Sequence, residues 1–126
     1  MNRSGYLLGA LPLLVLALAP AFAADESTSP GRKVFESRCV SCHESSPPST
    51  ATLGPGLAGI VGRKAGSGNS GVHSRALAES GIVWNRGSLR SFLSDPGRAV
   101  PGTIMPMRVE NPKEIEDLLN YLETLR

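Results

Sequence analysis

The stretch CVSCH, residues 39–43, contains both cysteines of this 126-residue chain and one of its two histidines. Two thiols two residues apart make a poor structural staple, because a bridge between them closes a loop too small to restrict much of the unfolded chain. A thioredoxin-type redox pair belongs beside a strand–helix–strand pattern, and this sequence offers none. A zinc site needs further Cys or His ligands, and only His73 remains.

What is left is Cys-x-x-Cys-His, the attachment pattern of c-type haem. The thiols of Cys39 and Cys42 each add to one haem vinyl group, and His43 is held beneath the iron as its ligand. The iron then needs a second axial ligand or keeps an open position. The candidates are Met105, Met107, His73 and none. The segment VPGTIMPM, residues 100–107, carries Met105 on a Pro/Gly-bounded loop between Pro96 and Asn111. A lone methionine is ordinarily core filler, but the shape of this loop favours Met105 as a thioether ligand, which raises the reduction potential.

Upstream of the motif, MNRSGYLLGALPLLVLALAPAFA (residues 1–23) has a basic start at Arg3, an apolar run and small residues before Ala24. This is the layout of a secretory signal cleaved after Ala23. A retained anchor is the other reading, but the run is short for a transmembrane helix and contains Pro12. Residues 24–29 read as a flexible polar lead-in and residues 30–126 as one domain, leaving a mature chain of about 103 residues. Without Arg3 the 13 basic residues fall to 12, against 11 acidic ones. The domain is therefore nearly neutral. No basic stripe points to nucleic acid, and no segment of it is apolar enough to insert stably in a membrane.

Punctuation along the domain predicts helices joined by long loops. Ser29 and Pro30 open a helix that runs to the cysteines with Val34 and Phe35 inward. A short helix over residues 74–80 is capped by Ser74 and ended by Gly81. Another over residues 88–95 has Ser88 as cap, Leu89, Phe92 and Leu93 inward, and Pro96 as terminator. In the last, Asn111 caps, Pro112 takes the first position, Glu114 reaches back as in a capping box, and Ile115, Leu118, Leu119, Leu122 and Leu125 recur at helical spacing. Residues 45–71 are rich in Ser, Pro and Gly and too long for an ordinary connection. They are either disordered or an ordered loop wrapped around a partner, and Leu53, Leu57, Ile60 and Val61 favour the second. The class is all-α, and its apolar side chains are sparse enough that a large apolar cofactor must complete the core.

With these pieces in order, the chain resembles class I cytochromes c, in particular the mitochondrial and bacterial c2-like branch. The resemblance covers nearly all of residues 30–126. It rests on GRKVFESRCVSCH, GPGLAGIVGRKAG, GIVW ending at Trp84, DPGRAVPGTIM and DLLNYL. It implies the small cytochrome c fold around one covalent haem, with thioethers at Cys39 and Cys42 and axial ligands His43 and Met105. Pro55 would accept a hydrogen bond from the free ring nitrogen of His43, and Gly31, Phe35, Leu118 and Tyr121 would join the first and last helices. Leu57 and Leu93 would line the haem, and Arg63, Trp84, Ser74 and Thr103 would hold its propionates. Chemistry also supports Arg63 and Trp84, since buried carboxylates need donors. The alternatives are a solvated arginine and a core tryptophan.

Three positions depart from the family. His73 stands where a tyrosine usually meets a propionate, Phe92 where a tyrosine reaches toward the methionine sulfur, and Leu77 where an asparagine is usual. The family's lysine ring is largely missing, since the chain has three lysines: Lys33, Lys64 and Lys113. The expected function is a soluble periplasmic one-electron carrier between a donor dehydrogenase or reductase and an acceptor oxidase or reductase. It is monomeric and not itself an enzyme. A second reading is a cytochrome subunit held tightly in a periplasmic dehydrogenase, and a third is a haem enzyme or ligand sensor with a labile sixth ligand.

Overall fold

The computed structural model describes Met1, residues 28–68 and residues 71–126. The expected signal segment 1–23, its cleavage point and residues 24–27 of the lead-in lie outside the described residues. Five helices follow one another: α1 (Pro30–Arg38), α2 (Arg75–Glu79), α3 (Arg86–Ser94), α4 (Pro96–Ala99) and α5 (Pro112–Thr124). No strand forms among the described residues, and an isolated antiparallel bridge joins Lys64 to Val83. None of these helices is long and apolar enough to cross a membrane.

α1 begins where Ser29 Oγ accepts from the Arg32 amide at 3.2 Å and Pro30 needs no hydrogen-bond partner for its nitrogen. It packs principally on α5. The two helices cross so closely at Gly31 that a Cβ there would overlap the Asp117 carbonyl and Tyr121 Cβ. One turn on, the Phe35 and Tyr121 rings meet with centroids 5.5 Å apart at 52°, a tilted contact that contributes about 1 kcal/mol beyond simple burial. Arg38 and Glu114 close the far end with a 3.0 Å ion pair. The capping box expected of Glu114 is therefore not made. Asn111 alone caps α5, accepting from the Lys113 amide at 2.9 Å, because the ion pair takes Glu114 toward α1.

α3 starts two residues before the expected cap. Asn85 is the N-cap, and Ser88 is its reciprocal partner inside the first turn: each side chain accepts from the other's backbone amide, Asn85 Oδ1 at 3.0 Å and Ser88 Oγ at 2.9 Å. Leu89, Phe92 and Leu93 face inward. Asp95 ends α3 and caps α4, accepting from the Arg98 amide at 3.1 Å, so Pro96 terminates one helix by opening the next.

Of the Ser/Pro/Gly-rich segment, the described residues 45–68 are held as an ordered loop. Gly54 N–H donates to Cys42 O at 3.0 Å and Leu57 N–H to Glu44 O at 2.8 Å. Glu44 in turn accepts from the Thr50 amide and hydroxyl at 2.6 and 2.9 Å. Trp84 N–H donates to Arg63 O, and Gly62 and Ala65 N–H donate to Trp84 and Ile82 O, which fixes residues 62–65 against 82–84. The apolar core joins Phe35, Ile60, Trp84, Phe92, Leu93, Leu118, Leu119 and Leu122, and many of these residues face an internal cavity.

Candidate cofactor site

The cavity has a volume of about 450 Å³, within the range of small-molecule and cofactor sites. Its floor is apolar, formed by Leu57, Ile60, Trp84, Leu89, Phe92, Leu93, Leu118 and Leu122. Its walls come from the turn after α1, from residues 53–68, from residues 72–77 leading into α2, and from the segment Thr103 to Met107.

The turn after α1 is built by backbone bonds. Cys39 N–H donates to Phe35 O at 2.8 Å, and the Cys42 and His43 amides both donate to Cys39 O, at 3.0 and 2.9 Å. This tight geometry brings the Cys39 and Cys42 thiols and the His43 ring to the same cavity. The sulfurs are not bridged to each other. Burial pushes the Cys39 thiol up to about 11, against a smaller opposing effect of Arg38 and a small further rise from Cys42. A reactive, low-pKa thiolate of the thioredoxin kind is incompatible with that environment. Among the described residues no three Cys, His, Asp or Glu side chains converge on a point suited to a metal ion.

His43 Nδ1 lies 2.7 Å from the Pro55 carbonyl oxygen, the acceptor that fixes the tautomer with the proton on Nδ1. Gly54 makes this approach possible, since a Cβ there would sit 2.5 Å from His43 Cε1. From the last stretch, Thr103, Met105 and Met107 all face the cavity. The Met105 amide donates to Thr103 Oγ1 at 3.4 Å.

The remaining residues singled out in the sequence also line the cavity. The Arg63 guanidinium is half-buried and donates to the carbonyls of Gly56 at 2.6 Å and Ala58 at 3.2 Å. Burial lowers its pKa. Trp84 is buried, with its ring centroid 5.1 Å from that of Phe92. Ser74 Oγ accepts from the Leu77 amide at 3.1 Å and caps α2. His73 Nδ1 is buried with no hydrogen-bond partner. Leu57 and Leu93 lie on the floor. The lining also includes Arg38, Lys64, Leu118 and Leu122, for which the sequence suggests no site role. Nothing in the helical spacing of Leu118 and Leu122 separates a cavity-facing leucine from one facing α1.

The site's own chemistry fits a haem. An apolar hole is bordered by two thiols at vinyl-pair spacing, an imidazole locked by a carbonyl, two thioethers, and an orphaned buried ring nitrogen. Fold and site together define a class I cytochrome c. The model of the cytochrome c family matches residues 28–126. Cytochrome c type-1 of Ascaris suum is 39% identical over 94 residues, covering 74% of this chain and 83% of that protein. Cytochrome c2 of Blastochloris viridis is 34% identical over 112 residues, covering 88% and 87%. Among solved structures, cytochrome cH from Methylobacterium extorquens superposes with a TM-score of 0.68 at 38% identity, covering 75% of this chain and 95% of that one. The chain belongs to the cytochrome c family. It is thus an electron-transfer protein with one covalently bound haem c, acting with redox partners, and not an enzyme.

Proposed function

We propose that the chain is a periplasmic one-electron carrier whose haem is joined to Cys39 and Cys42 and ligated by His43 and Met105. The observation that carries this reading is the 2.7 Å approach of His43 Nδ1 to the Pro55 carbonyl, beside both thiols on the wall of one apolar cavity. That bond leaves Nε2 as the ligating atom and raises its basicity. When bound, the haem supplies reversible Fe(III)/Fe(II) chemistry. The protein's part is to fix the imidazole, to fill the sixth position with the Met105 thioether and to exclude water with the leucine floor. Arg63, Trp84, Ser74 and Thr103 form the polar wall toward the propionates. Arg63 already spends two donors on loop carbonyls, so it acts there by its charge and its remaining N–H groups. The signal segment is cleaved after Ala23, and the exported chain is a monomer that meets a donor dehydrogenase or reductase and an acceptor oxidase or reductase.

The test is made on protein exported to the periplasm. Wild type keeps its haem through acid–acetone extraction and titrates as a single one-electron couple. Cys39→Ser or Cys42→Ser leaves at most one thioether, and the double variant loses the haem on extraction. Haem retained by the double variant would refute the attachment.

One observation favours a second reading, a subunit held in a periplasmic dehydrogenase. Leu53, Val72 and Ile104 border the cavity and are 66%, 54% and 58% exposed. Arg38 and Lys64 are the exposed charges beside them, and a rim this apolar suits a permanent interface better than a charge-steered encounter. Copurification of a larger subunit from periplasm at high salt would establish it.

A further inference from the structure

We propose that Met107 is a modification site, at which a hydroperoxide turns the thioether into a sulfoxide and so releases Met105 from the iron. The inference deepens the haem reading above and rests on it. It begins with the sulfur atoms. The chain has two cysteines and three methionines. On the haem reading, Cys39 and Cys42 are joined to the haem, Met105 is an axial ligand, and Met1 stands in the signal segment. Met107 is then the sulfur of the mature chain whose lone pairs are both free for an oxidant.

Its placement ties it to Met105. Thr103, Met105 and Met107 are half-buried and Val109 is buried, and they alternate with exposed Ile104, Pro106 and Arg108. A period of two is that of extended chain, which puts Met105 and Met107 on one side, about 7 Å apart along the backbone. Both face the cavity and both pack against the apolar core. The ends of the segment are pinned, with Thr103 N–H donating to Val100 O at 3.0 Å and Val109 N–H to Leu93 O at 2.8 Å. Between the two thioethers stands Pro106, whose ring fixes φ. A displacement at Met107 is therefore passed to Met105.

Access and reactivity separate the two sulfurs. Both side chains are half-buried, and the residues on either side of Met107 are exposed, so a small neutral oxidant reaches it from solvent. At Met105 the lone pair that would attack the oxidant is given to the iron. At Met107 it is not, and methionine is the apolar side chain that oxidation makes polar.

In the step, a lone pair of the Met107 sulfur takes the terminal oxygen of the hydroperoxide. An S–O bond forms and the O–O bond breaks. The departing oxygen takes the proton of the transferred one and leaves as water or an alcohol. The sulfur loses two electrons and the peroxide gains them. An S–O dipole turned to an apolar cavity is costly without a hydrogen-bond donor, so the side chain swings outward to water and draws Met105 with it. Methionine sulfoxide reductases reverse the change.

The experiment treats full-length, haem-loaded ferric protein with stepwise hydrogen peroxide, at doses that leave the haem unbleached, for wild type, Met107→Leu and Met107→Gln. Peptide mass spectrometry locates each added oxygen, and the near-infrared sulfur-to-iron band follows Met105. Wild type should take its first oxygen at Met107, lose the band in step, and regain it with a methionine sulfoxide reductase. Met107→Leu, which conserves volume and apolarity, should keep its band at doses that abolish that of wild type. Met107→Gln, polar as the sulfoxide is, should show a weakened band before any peroxide is added. First oxidation at Met105, a wild-type band that persists once Met107 is oxidised, or equal fading in wild type and Met107→Leu would each overturn the proposal. The order of oxidation is read on wild type, so it decides the matter even if a variant fails to load haem. A band missing from untreated wild type is a separate failure, that of Met105 ligation itself.

Discussion

At Gly54 the absence of a side chain decides whether the His43 ring can reach its acceptor. A Cβ there would meet Cε1 at 2.5 Å and Nδ1 at 2.8 Å, well inside van der Waals contact, and the ring would leave the Pro55 carbonyl. Gly54→Ala is expected to lower the yield of haem-loaded protein and weaken the iron–imidazole bond, while Gly59→Ala, where the added Cβ meets nothing within 4 Å, pays only for its φ of 64°. The comparison is read from the Soret absorbance per polypeptide and from spectral shifts with pH. At this scale, chemistry alone singles out Cys39, Cys42 and His43, because three reactive side chains in five positions have few other uses, and all three line one cavity. Pro55 was legible only through family resemblance, since a carbonyl acceptor leaves no mark on residue type. The choice between Met105 and Met107 rested on loop shape, and both methionines face the cavity.

At the scale of elements, the crossing of α1 and α5 and the caps of α3 and α5 set the scaffold. Gly31→Ala forces a Cβ into the Asp117 carbonyl and Tyr121 Cβ. Backbone cannot yield there as a flexible side chain does, so the variant should lose about 2–4 kcal/mol, in the range of overpacked cores and broken helix contacts; thermal unfolding of the holoprotein measures it. Asn85→Ala removes the α3 cap and should cost about 1 kcal/mol. Glu116 supplies a pH test. Hydrogen bonds from Arg90 and Arg86 hold its carboxyl down at about 2, against an ordinary value of 4.5. A lowered folded-state pKa means that the charged form favours folding, so its contribution is present above pH 4.5 and fades as pH falls toward 2. The group is exposed, so the effect is small and screened by salt. Glu116→Gln should therefore narrow its stability difference from wild type on acidification, and a difference that grows instead would contradict the pairing. The α5 cap was readable because Asn-Pro before an apolar period has one common meaning. The start of α3 was not, because Gly87 disguises the first turn and Ser88 serves as the inner half of a reciprocal cap. Glu114 was misread because its real partner, Arg38, is 76 positions away in sequence.

For the molecule as a whole, the cofactor is part of the core. Without it, the cavity of about 450 Å³ leaves Leu57, Ile60, Leu93, Leu118 and Leu122 with no packing partner on one side. The Cys39→Ser/Cys42→Ser chain freed of haem should consequently show little far-ultraviolet helix signal and no cooperative melt. The sparse apolar content pointed to this missing core from the sequence, whereas the orphaned His73 nitrogen could be found only once the neighbouring donors had been placed. The proposed carrier function rests on His43 and Met105 together ligating the iron, which would leave no site for substrate there. The weak near-infrared sulfur-to-iron band of the ferric protein tests it most directly. The band should be present in wild type, absent in Met105→Ala together with a lowered potential, and retained in Met107→Ala; a band that survives Met105→Ala and disappears in Met107→Ala would contradict the account.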